Sequence, residues 1–96
     1  MIHFDDIPSE KLDEFKKLIL SGERPSIAMR QLYDSIGIRD LEQVALSTPV
    51  DILEWGVKNL DIGAVSGYVI DSGCPFFDSD KESRALDKLI AEWIAD

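Results

Sequence analysis

At 96 residues, with 45% apolar and 30% charged side chains, the chain has the size and composition of one ordinary globular domain; a second core would leave each half too small to hold together unaided. Its 19 acidic against 10 basic residues give a net charge of -9 and a pI of about 4.4, a field that repels phosphate backbones and anionic lipid and draws in basic proteins. Nucleic acid and membrane are therefore poor partners, and no apolar run approaches the length of a membrane span.

The charge is uneven. Residues 1–23 carry six acids against three bases and 61–96 carry eight against three, whereas 24–60 carry five against four. The single cysteine, Cys74, cannot form an internal disulfide, and the opening Met-Ile-His reads as a natural initiation site with no basic apolar leader, so a reducing, cytoplasmic location is expected.

Taken in chain order, Asp6 or Ser9 is expected to cap a first helix whose apolar positions Leu12, Phe15, Leu18 and Ile19 follow helical spacing, with Gly22 as its stop. Pro25 and Ser26 lead into a second helix with the stripe Ala28, Met29, Leu32, Tyr33 and Ile36, ended by Gly37. A short third helix is expected from Asp40, with Gln43 completing a capping box and Leu41, Val44 and Ala45 buried. Thr48-Pro49 has the pattern of an N-cap followed by a first helical residue, and Asp51 suits the positive end of the dipole. That predicts a fourth helix to about Leu60 with Val50, Leu53, Val57 and Leu60 facing inward. Ile52 and Trp55 fall off this stripe, so the helix is either buried on two sides or shows an apolar patch.

Residues 61–73 are apolar but interrupted by Gly63, Gly67 and Gly73; we read them as a small-residue helix, an extended segment being the alternative. Cys74 to Ser79 reads as a loop. Ser79 with Glu82 forms a second capping box opening a last helix, in which Leu86, Leu89, Ile90, Trp93 and Ile94 give the clearest amphipathic pattern in the chain. The expected fold is all-α: a compact bundle of four to six short helices in a single domain spanning 1–96.

Chemistry-bearing constellations are scarce. His3 is the only histidine and sits two residues from an end expected to fray, so neither a zinc set nor a Cys-His or Ser-His-Asp arrangement can be assembled. Cys74 has no base within six positions to lower its pKa and reads as a small buried hydrophobe. Asp78, Asp80 and Glu82 alternate as in part of a calcium loop, but the central glycine and the twelfth-position acid are missing; the three suit the first turn of a helix instead. Asp5-Asp6 and Asp13-Glu14 are adjacent carboxylates on polar surfaces, with nothing to drive their acidities apart. Leu41 to Lys58 has the outline of a helix-turn-helix, yet its second helix carries Asp51 and Glu54 against only Lys58. The expectation is a protein with no catalytic activity, cofactor or metal.

One combination points to recognition. Asp71, Asp78, Asp80 and Glu82 cluster in sequence around Phe76 and Phe77, and interfaces favour aromatic anchors ringed by charge. Phe76 and Phe77 either fill the core as the chain enters its last helix or stand out as anchors.

Two stretches resemble the small acidic immunity proteins of bacterial toxin systems, most nearly those of the colicin D type. Phe15 to Glu23, reading FKKLILSGE, is similar to that family's first helix and polar turn, and Asp78 to Trp93 is similar to its acidic opening and closing amphipathic helix. The resemblance implies a bacterial protein that blocks the basic cleft of a toxin nuclease, with acidic side chains standing where RNA phosphates would. On this chain the role would fall to Asp71, Asp78, Asp80 and Glu82, and secondarily to Asp5 and Asp6. The expected form is a monomer or weak dimer. The alternative is a non-enzymatic helical adaptor that docks through Ile52 and Trp55.

Overall fold

The computed structural model describes residues 1–39, 41–45, 47–57, 60–72 and 80–94; side chains are described for all of these except 41, 68–72, 80–83 and 94. Among the described residues five α-helices carry the fold: α1 (Ser9–Leu20), α2 (Pro25–Ser35), α3 (Thr48–Gly56), α4 (Ile62–Ser72) and α5 (Asp80–Ile94). The described residues also form two single turns of 3-10 helix, Phe4–Asp6 ahead of α1 and Leu41–Gln43 between α2 and α3, and no strand. The all-α expectation holds, and a radius of gyration of 12.0 Å matches the roughly 12 Å of a packed chain this long.

Glycine stops α1 and α2 by the same device. After Leu20 the backbone turns left-handed at Gly22 (φ +98°), so that Glu23 N–H reaches back to Leu18 O (3.0 Å) and Gly22 N–H to Ile19 O (3.2 Å). Gly37 (φ +79°) repeats the motif, with Ile38 N–H on Tyr33 O and Gly37 N–H on Asp34 O. A side chain with Cβ pays a steric penalty at such angles, which glycine avoids.

Helix starts depart from the sequence reading. Ser9 is the first helical residue of α1 rather than its cap, the cap position falling on Pro8, while the Asp6 carboxylate accepts the His3 backbone N–H (2.9 Å). Thr48 likewise lies inside α3, whose cap position is Ser47 with no side-chain bond; the Thr48 hydroxyl donates to the Ile2 carbonyl (3.0 Å). Tertiary demand has overridden the local cap. The expected third helix shrinks to the turn Leu41–Gln43, where Gln43 Oε1 accepts the N–H of Arg39 (2.7 Å). Nor does the fourth helix run to Leu60: it ends at Gly56, after which Val57 adopts extended angles and is buried. The helical reading of this segment holds over Ile62–Ser72, with Asp61 Oδ1 accepting the Ala64 N–H (3.1 Å) at the head of α4.

The N-terminus does not fray as expected. Ile2 pairs with Val44 in an isolated parallel bridge, donating its N–H to Gln43 O and accepting the Ala45 N–H (3.0 Å) as well as the Thr48 hydroxyl. Three bonds to one residue staple the first turn against the start of α3.

The principal contacts join α1 to α2 and to α3, α2 to α5, and α3 to α4. Phe15, Met29, Tyr33, Ile52, Leu53, Leu86 and Ile90 are among the side chains closed off in the core between them. Burying each of these large side chains contributes about 1.5–3 kcal/mol before entropy is charged against it. Gly56 of α3 leaves no room for a side chain against α1, since a Cβ there would run into the Phe15 ring. Ile52 is fully buried and Trp55 is not, so α3 is buried on two sides and exposes one aromatic at its edge.

One polar junction fixes α5. Asp87, only 9% exposed, accepts the Ser26 backbone N–H (2.7 Å), the Ser26 hydroxyl (2.6 Å) and Arg24 Nε (2.8 Å). The first N–H that α2 possesses, that of Ser26 since Pro25 has none, would be an orphan in an isolated helix and is thus satisfied by a carboxylate 61 residues away. An N-cap has been supplied in trans by another helix, with the negative charge at the favourable end of the dipole.

Candidate functional site

Among the described residues, Trp55 joins an exposed aromatic side chain to carboxylates. The spacing of Asp51, Glu54 and Trp55 puts them on neighbouring positions of one side of α3. Phe4, brought there by packing of the Phe4–Asp6 turn on α3, completes an open cleft of about 530 Å³ with those three residues. Phe4 is half-buried, Asp51 partly buried and Glu54 exposed.

Trp55 is held rather than loose. Its indole Nε1 donates to Leu12 O on α1 (3.2 Å), and the Lys16 ammonium sits 5.0 Å from the ring centroid, while 41% of the residue remains accessible. A cation–π contact at such an accessible place contributes only about 0.5–1 kcal/mol, so the ring can exchange this cation for another at small cost. A rigid aromatic loses little entropy on being covered, which suits it to anchor an interface.

Of the residues expected to bind a partner, the structure places Asp5 and Asp6 on the exposed N-terminal turn next to Phe4, and Trp55 in the cleft. Asp71 lies in the last turns of α4, and Asp80 and Glu82 in the first turn of α5; their side chains are outside the described set. Phe76, Phe77 and Asp78, with Cys74, lie outside the described residues. Of Ile52 and Trp55, the pair expected to dock an adaptor's partner, Ile52 is sealed in the core and only Trp55 reaches the surface. Among the described residues no three His, Cys, Asp or Glu converge to hold a metal ion, and no helix is long and apolar enough to cross a membrane.

Sequence reasoning missed Asp51 and Glu54 as companions of Trp55. Their i, i+3, i+4 spacing was the available signal; the addition of Phe4 comes only from the stapling of the N-terminus. Arg24 and Asp87 were also missed, since nothing local marks a pair 63 residues apart.

The chain matches no protein-family model, no curated protein and no solved structure.

Proposed function

We propose that this chain is an inhibitor of the immunity-protein kind, which binds a basic bacterial toxin domain, a nuclease, and covers its active cleft with an acidic surface. The observation that carries the reading is Trp55, fixed by its bond to Leu12 and partly exposed between Asp51 and Glu54 on a chain of net charge -9. A basic cleft that accommodates RNA presents Lys and Arg, for which two carboxylates beside an aromatic face are a matching arrangement. Asp5 and Asp6 extend the acidic surface next to Phe4, and Asp71, Phe76, Phe77, Asp78, Asp80 and Glu82 remain the residues we assign to a second part of it. The reading requires no cofactor and no turnover, and it places the protein in the cytoplasm as a monomer or weak dimer.

Long-range charge attraction speeds encounter and is screened by salt, whereas the final affinity depends on a few desolvated contacts. Co-expression with a toxin nuclease encoded beside this chain's gene is the direct test. Survival with the unaltered chain, and its loss when Asp51, Glu54 and Trp55 are replaced together by Asn, Gln and Ala in a protein that still folds, supports the reading. Equal protection by the triple variant removes the α3 surface from it, and failure of the unaltered chain to protect refutes it.

A further inference from the structure

The charge of Glu54 is at odds with its place in α3. It lies in the last turn of that helix, where the outward carbonyl ends of the backbone repel an anion, and the turn holds no base to offset it. Among the described residues its carboxylate enters no ion pair or hydrogen bond. The fold therefore gains nothing from this acid. Asp51, one turn earlier and equally unpaired, sits in the first turn, where the dipole favours it. Both line the cleft with Phe4 and Trp55.

The aromatic part of the cleft is equally particular. Of the large apolar side chains left exposed among the described residues, Met1, Leu20, Trp55 and Ile62, Trp55 is the one aromatic. Its ring already carries a cation, the Lys16 ammonium, yet Lys16 does not line the cleft. The indole thus offers the cleft a surface that this ammonium does not fill. Carboxylates at i and i+3 stand about 5–6 Å apart at Cβ on one side of a helix, and Trp55, at i+4 from Asp51, lies beside both.

We propose that this cleft takes an arginine side chain of the partner, with the guanidinium laid on the Trp55 ring and its donors divided between Asp51 and Glu54. The inference rests on the reading of this surface as the one that meets a basic protein, and it names the group received there. A guanidinium is flat, weakly hydrated and carries five donors in its plane, so it can stack on an indole while two separate edges each meet a carboxylate. A lysine ammonium is a strongly hydrated point charge and gains less from the same ring. A neutral planar group of the same shape would stack but leave both carboxylates without their counter-charge.

The nitrogen-labelled full chain is titrated at fixed ionic strength with the N-acetyl amides of arginine, lysine and citrulline, the last being arginine's neutral counterpart in shape. The arginine derivative should give saturable shifts at the Trp55 indole N–H and at the amides of Phe4, Asp51 and Glu54, the lysine derivative should bind about fivefold or more weakly, and citrulline should give none. Glu54→Gln should weaken arginine by about fivefold while the thermal midpoint holds or rises, because the clash with the helix dipole is removed. Trp55→Leu should erase the preference of arginine over lysine, read at the backbone amides. Absence of saturable shifts, equal binding of lysine or citrulline, or unchanged affinity in Glu54→Gln overturns the proposal. Protection in co-expression without arginine shifts overturns the cleft assignment and leaves the inhibitor reading standing, whereas arginine shifts without protection support the cleft and refute the inhibitor.

Discussion

Replacing Asp87 by Ala should be among the most damaging single changes that leave the apolar core intact. Three donors lose their acceptor: the Ser26 N–H and hydroxyl, both in a buried setting, and Arg24 Nε on a side chain about one-third exposed. A hydrogen bond to a charged group contributes about 1.5–3 kcal/mol when buried, and a lost N-cap alone costs about 0.5–2 kcal/mol. The Arg24 arm is discounted because water screens it. Because the three bonds share one carboxylate and do not add, a total loss of about 3 kcal/mol is expected, a large fraction of the 5–15 kcal/mol that holds a domain of this size. Asp87→Asn keeps an oxygen acceptor for one Ser26 donor and gives up the charge, so it should lose about half as much. The assay is urea denaturation followed by far-ultraviolet circular dichroism, with the slope compared to confirm that the same surface unfolds. A double-mutant cycle with Ser26→Ala should return a coupling of about 1–2 kcal/mol. A loss under about 1 kcal/mol for Asp87→Ala, or a coupling near zero, would refute the assignment of Asp87 as the junction between α2 and α5.

Three further outcomes follow from the packing and the surface. Gly56→Ala should lower stability by about 1–3 kcal/mol in a thermal melt, because the added methyl meets the Phe15 ring and α1 and α3 must separate. Thr48→Val retains the shape but removes the donor to Ile2 O; it should cost about 1 kcal/mol and raise hydrogen exchange at Ile2 and Ala45, the amides of the N-terminal staple. Reversing Asp78 and Asp80 to Lys together should abolish protection from the toxin with the thermal midpoint nearly unchanged, whereas loss of folding would show that these acids serve only to open α5.

The amphipathic stripes were legible because each needs only its own segment. Leu12, Phe15 and Ile19, then Met29, Leu32 and Tyr33, and finally Leu86 and Ile90 recur at helical spacing and are buried. Gly22 and Gly37 were legible for the same reason, since both close a helix within its own last turn. Caps were misread where a tertiary partner competed. Thr48 looks like a cap locally, but its hydroxyl is drawn to Ile2, a contact 46 residues distant that no window of sequence contains. Periodicity leaves Ile52 open, because it shows which residues share a side and not how many sides are covered. The candidate site was half legible: Trp55 with Asp51 and Glu54 is a property of one helix, while Phe4 joins them only through the pairing of Ile2 with Val44.

The central claim, that an acidic surface on this chain holds a basic protein, is tested most directly by the salt dependence of binding to the toxin domain. Titration calorimetry at low and at physiological ionic strength, with the unaltered chain, should show affinity falling steeply as salt rises. Asp51→Asn with Glu54→Gln should both weaken binding and flatten that dependence. Affinity that is indifferent to salt, or a partner whose contacting surface is acidic or neutral, would contradict the account.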